Sequence, residues 1–269
     1  MPDYSLSIEE LYITATWMAM IETQTTLLLA YNRPKKTFNL PSWVPDWSRT
    51  LSVAEKASIP LAKTSKSHPG KQVFELLSNN RLRLSMVFVG SIQKVLDLSD
   101  FGVEKTTESP LTCDAIIEAI RTCRAMVGLP TDHESTEEPG RSRDKLFRDR
   151  ILTDCYFRKT RGYEQWKKNE CSSLRDQPTD TFHGGHAQSF LTLADGRFSL
   201  ANFECSTQDA VFATVGGLSI YLVLRPCRTS QTWSDVKEWE LRGPCELWGF
   251  DGDANKQPLQ GDVCSITLV

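Results

Sequence analysis

This sequence has few of the residue patterns that an active site or a cofactor requires. Only four of its 269 residues are histidine, and its eight cysteines include no Cys-x-x-Cys pair, the usual spacing of zinc ligands. It also lacks a Gly-x-Ser-x-Gly nucleophile elbow and a glycine-rich phosphate-binding loop. These absences exclude the commonest hydrolase and nucleotide-binding signatures, so we expect no cofactor and no bound metal.

Long apolar runs are missing as well. No stretch approaches the roughly 18 apolar residues of a bilayer-spanning helix, and residues 1–4 lack the basic and apolar regions of a secretory signal. The cysteines are scattered, and those in apolar surroundings, such as Cys264, behave as small buried hydrophobes when reduced. We therefore expect a cytosolic protein with reduced thiols and no membrane association.

The charge balance shows no strong excess of either sign. A formal charge of −3 and a pI near 5.9 provide no overall attraction to nucleic acid. Basic residues between positions 141 and 168 suggest a phosphate-binding patch, but interspersed acids favour a solvated helix face. With 40% apolar residues the chain is able to bury a substantial core, and we predict no nucleic-acid partner.

The N-terminal region predicts an amphipathic helix over residues 8–23. Ser7 and Glu10 have the spacing of a capping box. Apolar residues then recur at helical spacing, which predicts a face packed on the core, with a partner-binding face as the alternative. These residues are Ile8, Leu11, Tyr12, Ala15, Met18 and Ala19.

Two tryptophans and two prolines lie close together in residues 40–48, which we call the Trp/Pro segment. Proline fixes its own φ and disfavours the α region for the residue before it, so Pro41 and Pro45 predict an extended, polyproline-like conformation. Trp43 and Trp47 are interpreted as anchors against a neighbouring surface, with ligand stacking as the alternative. Asp46 between them is expected to accept hydrogen bonds, the alternative being a shifted pKa.

Further elements follow from short-range patterns. Residues 27–31 predict a short buried strand, and residues 49–70 a polar loop. Asn79-Asn80 predicts a tight turn between strands, and Gly128 predicts the end of a helix over residues 112–127. Strands are predicted at 73–77, 82–89, 92–98, 189–193, 198–201, 210–215, 219–224, 239–242, 245–248 and 263–268.

Two short motifs offer candidate chemistry. His183-Gly184-Gly185-His186 contains two imidazoles that could ligate a metal or resemble the oxyanion loop of an esterase, but no partner motif accompanies them and turn chemistry is favoured. Asp251-Gly252-Asp253 resembles a fragment of a calcium loop without the later ligands, and is interpreted as a turn.

Several phrases together resemble the fungal heterokaryon incompatibility (HET) domain family. Residues 2–12 are similar to the family's "PDYSLSVEEVY", and residues 40–48 to its "LPSWVPDWS". Residues 81–92 resemble "LRLRGVVVDTI", and residues 146–154 loosely resemble "FWRTLIAD". Residues 221–226 resemble "PFVLRP", and residues 240–253 resemble "YRLVGECYVHGIMDGE".

The family's upstream phrases "LSYVWG", "WIDAICINQ" and "RDKIYALLG" do not occur here. They belong to its defining core, which has a proposed TIR-like fold, so this chain resembles the downstream half alone. Either the product is shortened or Met1 lies downstream of the true start. The resemblance gives eight residues as structural anchors and no catalytic, cofactor or metal residues; the anchors are Pro41, Trp43, Pro45, Asp46, Trp47, Arg225, Gly243 and Gly249.

These observations predict an α+β protein in three parts. Residues 1–130 comprise a helix, the Trp/Pro segment, a sheet and a second helix, residues 131–180 a polar linker with a basic helix, and residues 181–269 a small antiparallel barrel or sandwich. The resemblance implies a non-catalytic role in self/non-self recognition and regulated cell death, through contact with a full-length relative or the upstream domain. The alternatives are an enzyme, either a cryptic hydrolase around His183 and His186 or an accessory to a NAD-cleaving relative, and a truncated product without function.

Overall fold

Helix α1 (Ile8–Thr23) begins with the predicted capping box. The Ser7 hydroxyl accepts the Glu10 N–H at 3.2 Å, and the Ser7 N–H donates to the Glu10 carboxylate at 2.8 Å. The helix ends at Gln24, whose φ of 49° lies in the left-handed region. The predicted helix over residues 8–23 is therefore confirmed.

The computed structural model describes the chain in part, and predictions that fall elsewhere are not tested by it. The loop over 49–70, except Arg49, and the linker over 131–180 lie outside the described residues, as do His183, His186, Asp251 and Asp253. The described residues are 5–32, 36–49, 74–98, 113–129, 189–215, 220–227, 238–245, 247–249 and 261–269.

Residues Leu27–Tyr31 form a short 3-10 helix, so the strand predicted there is wrong. The Leu29 N–H donates to the Thr26 carbonyl at 2.9 Å, and the Asn32 N–H to the Leu29 carbonyl at 3.2 Å. Leu29 and Ala30 are fully buried. A five-residue apolar run has no period that separates a strand from a buried helical turn, so packing against the sheet decides its conformation.

The turn predicted at Asn79-Asn80 is confirmed. It joins strands β1 (Phe74–Leu77) and β2 (Arg81–Asp97), and both asparagines have a positive φ, of 60° and 56°. Asparagine tolerates this conformation better than most residues. The two strands predicted at 82–89 and 92–98 form one continuous strand, which makes β2 long.

Six further strands come from the C-terminal part of the sequence. The prediction of separate strands at 239–242 and 245–248 is wrong. A single strand runs from Glu238 to Cys245, and an isolated bridge is formed by Trp248. The six are β3 (Ser189–Leu193), β4 (Phe198–Ala201), β5 (Ala210–Thr214), β6 (Tyr221–Pro226), β7 (Glu238–Cys245) and β8 (Val263–Leu268).

The eight strands form one mainly antiparallel sheet, and the protein is α+β. Strand β2 pairs with β1, β3, β5 and β8, so strands from the predicted first and third parts share the sheet. From β2 the pairing runs through β5, β6, β7 and β8 back to β2. In the described residues β7 and β8 pair at only two positions, so the sheet is not a clear barrel. The boundaries at residues 130 and 180 stay predictions.

Both faces of strands β5 and β6 are covered. On one face, Phe212 and Leu222 pack in a core with Trp43 and Met20, which come from the Trp/Pro segment and α1. On the opposite face, residues of the same two strands pack with residues of β3 and with Phe203 and Cys205, which follow β4. The α1 helix and the Trp/Pro segment are therefore a layer on the sheet.

The second helix, α2 (Cys113–Met126), ends as predicted. Gly128 has a φ of +74°, which glycine adopts at little cost, and the Leu129 N–H donates to the Arg124 carbonyl at 2.9 Å.

Candidate functional site

The Trp/Pro segment lies between α1 and the sheet, and its centre is fully buried. Trp43 has no exposed surface, and its indole N–H donates to the Asn80 carbonyl in the β1–β2 turn at 2.8 Å. Trp47 is 44% exposed, and its indole N–H donates to the Thr16 hydroxyl of α1 at 3.1 Å. Pro45 is buried. One tryptophan therefore fixes the segment to the sheet, and the other to the helix.

The segment contains hydrogen-bonded turns, so the prediction of a continuous polyproline-like conformation is wrong. The Val44 N–H donates to the Pro41 carbonyl at 3.1 Å, and the Arg49 N–H to the Asp46 carbonyl at 3.2 Å. A polyproline helix has no such internal bonds. The two prolines do not interfere with these turns, because Pro41 is the first residue of one and Pro45 precedes the other, so neither occupies a central position.

Asp46 stabilises these turns through its side chain. Its carboxylate accepts the Thr37 N–H at 2.7 Å, the Ser48 N–H at 3.1 Å and the Ser48 hydroxyl at 2.6 Å. Burial opposes ionisation, but these hydrogen bonds outweigh it and hold the pKa of the Asp46 carboxyl below 3.8. The geometry matches the hydrogen-bonding role expected from the sequence.

Ser42 joins the segment to two strands, which sequence reasoning missed. Its N–H donates to the Val269 carbonyl at 2.6 Å, and its hydroxyl accepts the Leu241 N–H at 2.9 Å. Its carbonyl accepts a hydrogen bond from the Asn32 side chain. Ser42 thus provides hydrogen-bond partners to the backbone beside the short β7–β8 pairing. No local sequence signal marks this, because Leu241 is 199 residues away.

The solvent side of α1 is apolar. Ile8, Leu11 and Met18 are 47%, 51% and 50% exposed. Their spacing of three and seven residues places them on one side of the helix, with the exposed Ala15 between them. On the opposite side, Ile13, Thr16 and Met20 are buried. The stripe predicted to pack on the core is therefore exposed at Ile8, Leu11, Ala15 and Met18, so that prediction is wrong, and the core face is the opposite side of the helix. We call the exposed stripe the outer face.

One acid, Glu22, lies at the end of the outer face, four residues after Met18, and is exposed. Helix α1 contains Glu9, Glu10 and Glu22 and no lysine or arginine. Ile21, also on the outward side, is 37% exposed. An apolar stripe with an acidic neighbour complements an apolar surface with a basic neighbour.

A cavity of about 750 Å³ opens between the start of α1, the Trp/Pro segment, the β1–β2 turn and β7. Its walls include carboxylates, two cationic side chains and apolar groups. These lining residues include Glu9, Glu10, Ile13, Lys36, Phe38, Leu40, Arg81, Glu240 and Leu241.

Lys36 is a residue of this cavity whose side-chain pKa is lowered by its surroundings. Its Nζ donates to the Pro41 carbonyl and, at 2.9 Å, to the Val44 carbonyl. Burial lowers the pKa of Lys36 from 10.5 to about 7, although the charges of Asp46 and Glu240 raise it. No local pattern in the sequence marks Lys36, because its partial burial depends on how distant segments pack around it.

The anchors expected near the C terminus lie on the sheet. The Arg225 guanidinium donates to both carboxylate oxygens of Asp209 at 2.7 and 3.0 Å, and Asp209 is fully buried. At Gly243 the backbone has a φ of +153°, and a Cβ there would lie 2.5 Å from the Phe203 ring. Gly249 is half-buried beyond the Trp248 bridge. These residues support the sheet and do not join Lys36.

Two further findings concern only the residues that the structure describes. Among them there is no group of three or more His, Cys, Asp and Glu side chains able to hold a metal. None of their helices has the length and apolar character needed to cross a bilayer. The enzyme alternative around His183 and His186 stays a prediction.

Comparisons with family models, with curated proteins and with solved structures find no match to this chain. The resemblance to the heterokaryon incompatibility family therefore stays a prediction based on the quoted phrases.

Proposed function

We propose that this chain is a non-catalytic protein-interaction unit, the downstream region of a heterokaryon incompatibility protein that acts in fungal self/non-self recognition and regulated cell death in the cytosol. The observation that supports this role is the exposed apolar outer face of α1. Single exposed apolar residues are ordinary on a protein surface, whereas a continuous apolar stripe is typical of a contact surface.

The energetics favour a protein partner for the outer face. Burying an aliphatic side chain stabilises an interface by about 1.5–3 kcal/mol relative to leaving it exposed. Ile8, Leu11, Met18 and Ile21 each have at least a third of their surface in solvent. Covering the stripe therefore provides several kcal/mol toward binding, although association itself also has an entropic cost.

The occupant that we propose is the heterokaryon incompatibility core. The family resemblance implies that this core precedes the "PDYSLS" passage, next to α1. Glu22, at the end of the outer face, further favours a core surface that is apolar at its centre and basic at that edge. We also propose that the strands form a small, partly open barrel, since the pairing returns to β2 through β8.

Binding of the chain to a separately expressed heterokaryon incompatibility core tests this role. Isothermal titration of the intact chain should give a saturable affinity, and Leu11→Gln with Met18→Gln should weaken it at least tenfold. Thr23→Gln, at an exposed position on a different side of α1 from Leu11 and Met18, is the matched control and should bind like the parent chain. Circular dichroism should show equal helix content in all three proteins.

Two results would contradict the proposal. In one, the core fails to bind the parent chain. In the other, the double variant binds as tightly as Thr23→Gln, which would place the contact elsewhere. Sedimentation at several concentrations tests a further occupant. If the parent chain self-associates and the double variant does not, a second copy of this chain occupies the outer face.

A further inference from the structure

We propose that the Lys36 amine is a covalent binding site for a small, uncharged aldehyde or ketone, which it captures as an imine inside the cavity beside the Trp/Pro segment. The proposal is independent of the outer face of α1, and it adds a ligand to a region whose other described contacts are structural.

The hydrogen bonds of Nζ suit a neutral amine. A neutral amine has two N–H groups and one lone pair, whereas an ammonium has three N–H groups. In the described part of the chain, the hydrogen bonds of Nζ go to two backbone oxygens, those of Pro41 and Val44. Two acceptors match the two N–H groups and leave the lone pair available to attack a carbonyl carbon.

The electrostatic surroundings also permit a neutral amine near pH 7. Burial lowers the pKa of Lys36 to about 7, while Asp46 and Glu240 act on it through their charges and oppose the shift. The cavity also exposes Lys36 to the charged side chains of Glu9, Glu10 and Arg81. Arg81 is itself paired with Glu238. Lysines with pKa values lowered by burial are the ones that form Schiff bases.

The walls of the cavity select the class of ligand. A volume of about 750 Å³ is in the range of small-molecule sites. Apolar contact is available from Ile13, Phe38 and Leu40. Arg81 already has an acidic partner in Glu238, and Glu240 a basic one in Arg242, but Glu9 and Glu10 add two further carboxylates to the walls. The local field therefore disfavours an anionic carbonyl compound such as an oxo acid, and an uncharged one is preferred.

The reaction is a condensation with no change of oxidation state. The Nζ lone pair forms a bond to the carbonyl carbon, and one Nζ proton moves to the carbonyl oxygen. The resulting hydroxyl leaves with the second Nζ proton as water, which gives a C=N bond that water can reverse. Both N–H groups are consumed, so the bonds to Pro41 and Val44 are lost and the adduct should loosen the Trp/Pro segment.

Reductive trapping on the intact chain tests the site. Benzaldehyde, an uncharged aldehyde, is added at pH 7 with sodium cyanoborohydride as the reductant, and labelled lysines are quantified by peptide mass spectrometry. We expect Lys36 to be labelled at least tenfold faster than Lys94, an exposed lysine on β2. This ratio is measured within one protein and does not depend on the folding of a variant. Lys36→Arg should remove the fast labelling and leave Lys94 unchanged.

Two outcomes would overturn the inference. Labelling of Lys36 no faster than Lys94 would show that the buried amine is not a preferred nucleophile. Equal labelling of Lys36, relative to Lys94, by benzaldehyde and by 4-formylbenzoate would refute the preference for an uncharged ligand, since the carboxylate adds negative charge to the same aromatic aldehyde. The expected result is slower relative labelling by 4-formylbenzoate.

Discussion

Gly243 shows how one residue can be required by both backbone and packing. Its φ of +153° is rarely adopted by other residues, and a Cβ would lie 2.5 Å from the Phe203 ring, closer than any real contact. The pairing of β6 and β7 shifts register beside it, between Val223 and Leu224. The strand can turn through this irregularity only because no side chain is present.

We expect Gly243→Ala to reduce the free energy of unfolding by roughly 2–4 kcal/mol, from backbone strain and overpacking together. Urea denaturation followed by tryptophan fluorescence measures this loss. Gly90→Ala is the matched control within β2, where a Cβ would lie 3.4 Å from Leu193 in ordinary contact. Its cost should stay within about 1 kcal/mol. Equal losses in both variants would contradict the role given to Gly243.

Lys36 predicts a pH dependence of stability. Its pKa is 10.5 when exposed and about 7 in the fold, so between these values the unfolded chain binds more protons. The free energy of unfolding should therefore rise with pH across this window, and the destabilisation by the buried charge is fully present below pH 7. Relative to Lys36→Met, the parent should gain stability from pH 7 toward 10.5.

The measurement is the difference in unfolding free energy between the parent and Lys36→Met at a series of pH values, because other titrating groups cancel in that difference. Lys94→Met is the control at an exposed lysine. A flat difference for Lys36→Met would show that the Lys36 amine keeps the same pKa in the folded and unfolded chain.

At the scale of elements, α1 is defined by a local signal at its start. The reciprocal hydrogen bonds of Ser7 and Glu10 satisfy backbone donors that the first turn leaves free. Ser7→Ala should therefore lower the stability of the protein by about 1 kcal/mol. Thermal unfolding by far-UV circular dichroism provides the measurement.

The control for this capping test is Thr14→Ala at an exposed position within α1. Alanine has the higher helix propensity, so this change should be neutral or slightly stabilising. If Ser7→Ala behaves in the same way, the core contacts of Ile13 and Met20 alone hold the helix in place.

The elements differ in how far the sequence predicts them. The capping box, the Asn79-Asn80 turn and the stop at Gly128 depend on neighbouring residues, and all three predictions are confirmed. The sequence pattern predicts a strand at residues 27–31, but these residues form a 3-10 helix. A short apolar run takes the conformation that its surroundings impose. The turns in the Trp/Pro segment likewise depend on Asp46 and its partners.

At the scale of the molecule, β2 connects distant parts of the chain. Its residues Met86 and Val87 pair with both β5 and β8. Strand β1, in contrast, pairs with β2 alone among the described strands. We therefore expect residues 74–98 and 189–269 to unfold together in one cooperative transition.

Native-state hydrogen exchange tests this expectation. Amides at the centre of β2 should exchange only through global unfolding, whereas those of β1 should exchange through smaller openings. Exchange of β5 and β6 with a free energy well below that of β2 would contradict the expectation, and would favour the predicted division between residues 1–130 and 181–269.

The sequence by itself determined the α+β class, most strand positions, the helix caps and the chain turns, because these depend on conformational preferences of residues that are close in the chain. Only the tertiary structure decided that Ser42 hydrogen-bonds Leu241, that the half-buried Lys36 donates to two backbone oxygens, and that α1 keeps one apolar side in solvent. Burial and long-range pairing are set by which surfaces pack together, and residues 199 positions apart carry no local sign of their contact.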